Sequence, residues 1–202
     1  MSQDRFFTIK KLGVKVGEAT LFFGGRVKIK GRDAYSVVFT AKSFNFFDEE
    51  KIYIDPKTFL PMEVQRNLNI FGKQEKITEE YSSEKRSVKI VKVSGGKTQE
   101  RTIAKSEPID NIYCFIYRYR ITGNLEEGES WVMHLPTRNV KINLIKKTQL
   151  KVAKKTYDSY FMQSQAKDYQ IWFDTNPAKT PLRIDGALGM NNASLVIADQ
   201  HK

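Results

Sequence analysis

A chain of 202 residues with 40% apolar and 12% aromatic side chains can bury a substantial core, which excludes a disordered segment. The 34 Lys and Arg outnumber the 23 Asp and Glu, a formal charge of +11 that attracts polyanions and anionic surfaces. The plainer explanation of that charge is solubility and strand-edge protection by Lys, because the cations are spread along many segments. Cys114 is the only cysteine, so no intrachain disulfide forms, and its apolar surroundings read as a buried, inert thiol. The longest apolar run, residues 112–117, is far shorter than the ~20 residues of a transmembrane helix.

The first half reads as a β-meander. Val14 and Val16 alternate in one phase and Ala19, Leu21 and Phe23 in the other, so a bulge is expected at Gly17, where the phase switches. Gly24-Gly25 reads as a hairpin turn and Gly31-Arg32 as the next. The stretch "SFNFF" then brings Phe44, Phe46 and Phe47 together, and these aromatics need either a core or a ligand. The acidic run "FDEEK" that follows reads as solvated loop charge.

"KIYIDPKTFLPMEV" has the chemistry of a tight connection. Asp55 can accept backbone bonds within the turn, Pro56 fixes φ at its first corner, Thr58 supports it, and Pro61 opens the returning strand where no ladder donor is needed. "QIWFDTNPAKTPLRI" uses the same device, with Asp174 and Pro181 in the two roles and a loop one residue longer. The unequal lengths argue against a strict duplication. After Pro61, Met62, Val64, Leu68 and Ile70 take one face and Glu63, Gln65, Asn67 and Asn69 the other, with Arg66 as the exception. Ser94-Gly95-Gly96-Lys97 marks another hairpin and lacks the spacing of a phosphate loop.

"SEPIDNIYCFIYRYR" breaks the strand pattern. Ile109, Ile112, Ile116 and Tyr119 have helical spacing, with Ser106 or Asp110 available as a cap, and predict one short helix near residues 109–119 that plugs or covers the sheet. After the loop "TGNLEEGES" a second β-rich half follows, in which Val140, Ile142 and Leu144 alternate with Lys141 and Asn143. The expectation is a mainly β fold, an antiparallel barrel or a strongly curved, nearly closed sheet. It forms a single domain over residues 1–202, with pseudo-similar halves at about 1–105 and 128–202 joined by the helical segment.

Catalytic patterns are absent from the local sequence: there is no nucleophile elbow, dinucleotide fingerprint or EF-hand loop. His134 lies on an expected strand with no second His or Cys to form a metal site, and His201 stands next to the C-terminus. The reading is therefore non-enzymatic, without cofactor or metal. "IYRYR" interleaves aromatics with cations, but Tyr113, Phe115, Tyr117 and Tyr119 sit among apolar neighbours and read as packing residues, which disfavours nucleic acid. A curved β fold rich in inward aromatics can instead enclose an apolar ligand, and Phe22, Phe23, Phe44, Phe46, Phe47, Trp131 and Trp172 are the candidate lining. The opposing possibility is that these side chains fill the interior outright.

The segments "GVKVGEAT", "FTAKSFNFF", "IDPKTFLPMEV", "PIDNIYCFIYRYR" and "IWFDTNPAKTPLRIDGAL" together resemble the bacterial exported family known as domain of unknown function 3108, over nearly the whole chain. "DPKTFLP" alone also resembles a hairpin of lipoprotein-carrier-like envelope folds, in which a curved antiparallel sheet shields lipid. The family resemblance implies a β-barrel-like fold, residence in the periplasm or cell envelope after removal of an export signal, and no established activity. The cytoplasm is the alternative location, since "MSQDRFF" opens on a strand-like pattern. The partners expected from the aromatic β pattern and the positive charge are a lipid or other amphipathic ligand, an anionic envelope polymer or a membrane surface. A structural or protein-interaction role in the envelope is the alternative function, and a basic nucleic-acid-binding β domain a further one.

Overall fold

Alternation of apolar and polar residues builds long strands, and short polar turns return them as antiparallel neighbours. The computed structural model describes residues 3–123, 126–188 and 193–198. The first half forms β1 (Gln3–Lys11), β2 (Val14–Ile29), β3 (Arg32–Ser43), β4 (Phe46–Ile54), β5 (Pro61–Ile70), β6 (Lys73–Ser82), β7 (Ser87–Ser94) and β8 (Lys97–Ala104). The helix α1 (Ile112–Thr122) follows, then β9 (Ser130–His134), β10 (Asn139–Val152), β11 (Lys155–Ser164), β12 (Gln170–Asp174), β13 (Pro181–Asp185) and β14 (Ala193–Ile197).

One 14-stranded antiparallel sheet carries the strands of both halves. β1 pairs with β14 at its centre, and β8 and β9 lie at its two ends. The sheet is not closed, so of the two architectures expected the strongly curved sheet is the one present. Its curvature follows from α1, whose aromatic side chains reach β3 (Phe39 against Tyr113) and β2 (Phe23 against Tyr117) as well as β12 (Phe173 against Tyr119) and β9 (Trp131 against Tyr119). A single helix meets such distant strands only if the sheet wraps around it.

The inward residues of every central strand join α1 in one core: Phe7 and Ile9, Leu21 and Phe23, Val37 and Phe39, Ile52 and Ile54, then Ile142, Met162, Phe173 and Leu195 from the second half. The concave side is thus occupied by the helix and its ring contacts. The helix begins at Asn111, whose side chain accepts from the Tyr113 backbone N–H at 2.8 Å. Neither Ser106 nor Asp110 caps it. Asp110 bonds the Asn111 N–H instead and holds Arg118 at 2.7 Å.

Three further sequence expectations change. Gly24-Gly25 is not a turn, because β2 runs straight through it; the register shifts between Phe23 and Gly25, so the pair forms a bulge within one long strand. The following turn is Lys30-Gly31, one residue earlier than expected. The "FDEEK" acids are not loop charges: β4 alternation turns Asp48 and Glu50 inward. Arg66, the exception on the inward face of β5, meets Asp48 through Nε at 2.8 Å and Nη2 at 2.5 Å and lies 3.3 Å from Glu50. The odd cation of one strand and the acids of its neighbour therefore explain each other. The expected bulge at Gly17 is present, with the β1–β2 register slipping between Ile9 and Lys10.

Both "D…P" connections are built as the sequence implies. The Asp55 N–H donates to Leu60 O at 2.9 Å, and the Asp55 carboxylate accepts from the N–H groups of Lys57 and Thr58 at 2.9 and 2.8 Å. The Asp174 N–H donates to Thr180 O at 2.8 Å, and its carboxylate accepts from the Asn176 N–H at 2.9 Å. Each loop ends with a left-handed residue, Phe59 or Lys179, two places before Pro61 or Pro181, and each proline sits beside a register shift. This is turn chemistry used twice, with Asp, not Pro, as the clamp.

Candidate functional site

The bulge at Gly17 re-aims the outer face of the sheet. Because Phe7 and Ile9 of β1 point into the core, Phe6, Thr8 and Lys10 point outward. Register then sets rows across β1, β2 and β3: Phe6 opposite Thr20 opposite Thr40, and Thr8 opposite Glu18 opposite Lys42. Past the bulge, Lys10 faces Lys15. Like charges directly opposed on neighbouring strands destabilise a sheet. Lys15 is partly relieved by Glu18 at 2.7 Å, a bond that also holds the Glu18 carboxyl below its usual range. Lys10 and Lys42 have no ion-pair partner among the described residues.

A cover for these rows comes from the other half of the chain. The β10–β11 hairpin continues beyond its neighbours, and its tip folds back over the outer face, burying Val152 and bringing Ala153 beside Val196 and Ile197 of β14. Between tip and sheet lies a half-open groove of about 580 Å³. Its walls are Phe6, Val152, Ala153 and Val196, with the hydroxyls of Thr8, Thr20 and Thr40 along the floor and Lys10, Lys15, Lys42 and the one carboxylate of Glu18 at one end. An apolar trough whose end carries three ammonium groups against one carboxylate, with Lys10 and Lys42 unpaired among the described residues, has the polarity of an anionic amphiphile.

A second polar constellation lies inside. Glu50 and Glu79 face the concave side near Asp48, Arg66, Tyr81 and Tyr113. Burial, opposed by the charge of Arg66, raises the Glu50 carboxyl to about 7. Burial also raises Glu79, which bonds the Tyr81 hydroxyl, and holds Cys114 well above the usual thiol range. This cluster can hold a proton under α1. Among the described residues no group of three His, Cys, Asp or Glu side chains is arranged to hold a metal ion. His134 ends β9 and accepts the Asp110 N–H through its backbone carbonyl at 2.9 Å; His201 lies outside the described residues.

The seven expected lining aromatics do not converge on one chamber. Phe23, Phe46 and Trp131 pack against the core around α1. Trp172 stacks on Phe161 with ring centroids 4.7 Å apart, and the Arg183 guanidinium lies over the Trp172 ring at 4.9 Å. Phe22 and Phe47 are exposed on the outer face, and Phe44 stands in the β3–β4 turn almost wholly in solvent. The aromatic count missed the groove because most of its residues are Thr, Lys, Val and Ala. The available signal was the bulge, since it predicts which β1 and β2 residues face outward together.

The model of the family described as "Protein of unknown function (DUF3108)" matches residues 6–197. The chain belongs to this family. No curated protein matches it. Among solved structures it is similar to a beta-barrel-like protein of the DUF1849 family from Brucella abortus, at 9% identity over 98% of each chain and a TM-score of 0.46.

Proposed function

We propose that this DUF3108 protein is a non-enzymatic component of the bacterial cell envelope that binds a lipid or other anionic amphiphile in the groove between β1–β3 and the β10–β11 tip. The observation that carries this reading is the pairing of an apolar trough with Lys10 and Lys42, which have no ion-pair partner among the described residues. An acyl chain against Phe6, Val152 and Val196 leaves water, and a carboxylate or phosphate head relieves the Lys10–Lys15 opposition. The concave side, where a carrier of the closed-barrel type keeps its ligand, is filled by α1. The envelope assignment rests on the family resemblance. Native mass spectrometry of the protein purified from its own envelope fraction tests the reading: an adduct of lipid mass is expected, and it should diminish in Lys10→Glu/Lys42→Glu. A protein free of adduct that also fails to take up added lauric acid contradicts it.

A second reading, an interaction module of the envelope, is favoured by the sheet ends. β8 is exposed along nearly its whole length and, among the described residues, its outer edge pairs with no strand, the arrangement used to add a partner's strand. Crosslinking from Thr98 or Thr102 to an envelope protein supports this reading, and absence of any crosslink in the intact envelope counts against it.

A further inference from the structure

The most exposed large apolar side chains of the described residues are Phe44 at 97%, Phe71 at 80%, Leu12 at 79% and Val14 at 66%. They do not scatter. Leu12 occupies the β1–β2 turn with Val14 just after it, Phe44 the β3–β4 turn, and Phe71 the β5–β6 turn. In an antiparallel meander these three turns fall at one end of the sheet. Direct bonding joins two of them, since the Phe71 N–H donates to Asn45 O at 2.8 Å.

Their backbone makes the choice of residue more telling. Leu12-Gly13 and Phe71-Gly72 are two-residue turns with both φ positive, at 50° and 85° and at 50° and 82°. Such turns favour Asn or Asp in the first place, and a bulky apolar residue there is strained. Neither Leu12 nor Phe71 regains that strain by packing, as both are in solvent. A local rule broken without a folded-state gain marks a functional position. Lys10, Lys11, Lys15, Lys42 and Lys73 stand within three residues of these turns.

We infer that this end of the sheet docks on an anionic membrane surface, with Leu12, Phe44 and Phe71 entering the lipid interface and the flanking lysines meeting the head groups. The charge complementarity selects a lipid surface over an apolar protein face. Docking also sets the lysine end of the groove toward the membrane, which goes beyond the ligand-binding reading and does not depend on it.

Flotation with vesicles tests this. The wild type should float with phosphatidylglycerol-rich vesicles and bind phosphatidylcholine vesicles roughly tenfold more weakly. Leu12→Asn/Phe44→Ser/Phe71→Asn should weaken anionic-vesicle binding by roughly tenfold while keeping its uptake of soluble lauric acid in the groove. Leu12→Asn alone suits its turn and should lower vesicle binding about threefold, which keeps the test valid whatever the triple variant's stability. A wild type that does not float, equal binding to both vesicle types, or undiminished binding by the variants overturns the inference. Loss of lauric acid uptake with vesicle binding intact overturns the groove reading alone.

Discussion

Phe71 donates its backbone N–H to the carbonyl of Asn45 at 2.8 Å, so the β5–β6 turn is fixed against the β3–β4 turn and the two most exposed phenylalanines share one rim. That bond converts two separate loop tips into one surface. The strain at Leu12 and Phe71 can be read by substitution. Leu12→Asn and Phe71→Asn should each stabilise the fold by about 0.5–1 kcal/mol, since Asn tolerates the left-handed region better. Urea denaturation measures this, and a loss of stability in either variant would mean the side chain packs in the folded state.

Arg66 neutralises Asp48, which is almost wholly buried, and supports Glu50. Arg66→Met strands buried carboxylates and should cost about 3–5 kcal/mol near neutral pH. The double variant Arg66→Met/Asp48→Leu should recover much of that loss, because pair removal is far cheaper than half-pair removal. Equal losses in both variants would show that the pair carries no coupling.

Glu50 makes stability depend on pH. Its folded pKa, about 7, lies above the unfolded value, so the folded state binds the proton more tightly. The favourable contribution is complete below about pH 4.5 and is lost as pH rises through 7. Glu79 acts in the same direction, raised mainly by burial. Glu50→Gln should flatten this fall and be more stable than wild type at pH 8, with little difference at pH 4.5. Thermal melts between pH 4.5 and 8 decide it, and parallel curves for the two proteins would remove Glu50 as the cause.

The two Asp clamps differ in what they hold. Asp55 accepts two backbone N–H groups and the Thr58 hydroxyl, whereas the Asp174 side chain accepts the Asn176 N–H. Asp55→Ala should therefore cost about 1–2 kcal/mol and Asp174→Ala about 1 kcal/mol or less. The reverse order in urea denaturation would show that loop length, not bond number, governs these turns.

Much of the fold, and little of the groove, is legible in the sequence. Alternation located the strands around Val64 and Ile142, helical spacing located α1, and Asp and Pro located both long turns, because each signal is local. The family resemblance was carried by the same segments. The acid cluster was not legible: Asp48 and Glu50 look solvated until Arg66 is seen across the β4–β5 ladder. Gly24-Gly25 imitated a turn because bulges and turns use the same residue. The groove was hidden for a topological reason, since its cover at Val152 lies far along the chain from Phe6 and meets it only after β1 pairs with β14. Phe44 was singled out by composition, but its place on a shared rim depends on the alternation of hairpin ends.

Amide chemical shifts followed during titration with lauric acid show whether an amphiphile occupies the outer groove. Saturable shifts are predicted at Phe6, Thr8, Lys10, Thr20, Lys42 and Val152–Ala153, and their loss in Lys10→Glu/Lys42→Glu. Shifts centred on α1 and the inward faces of β2, β3 and β12, or no saturable shift at all, would contradict it.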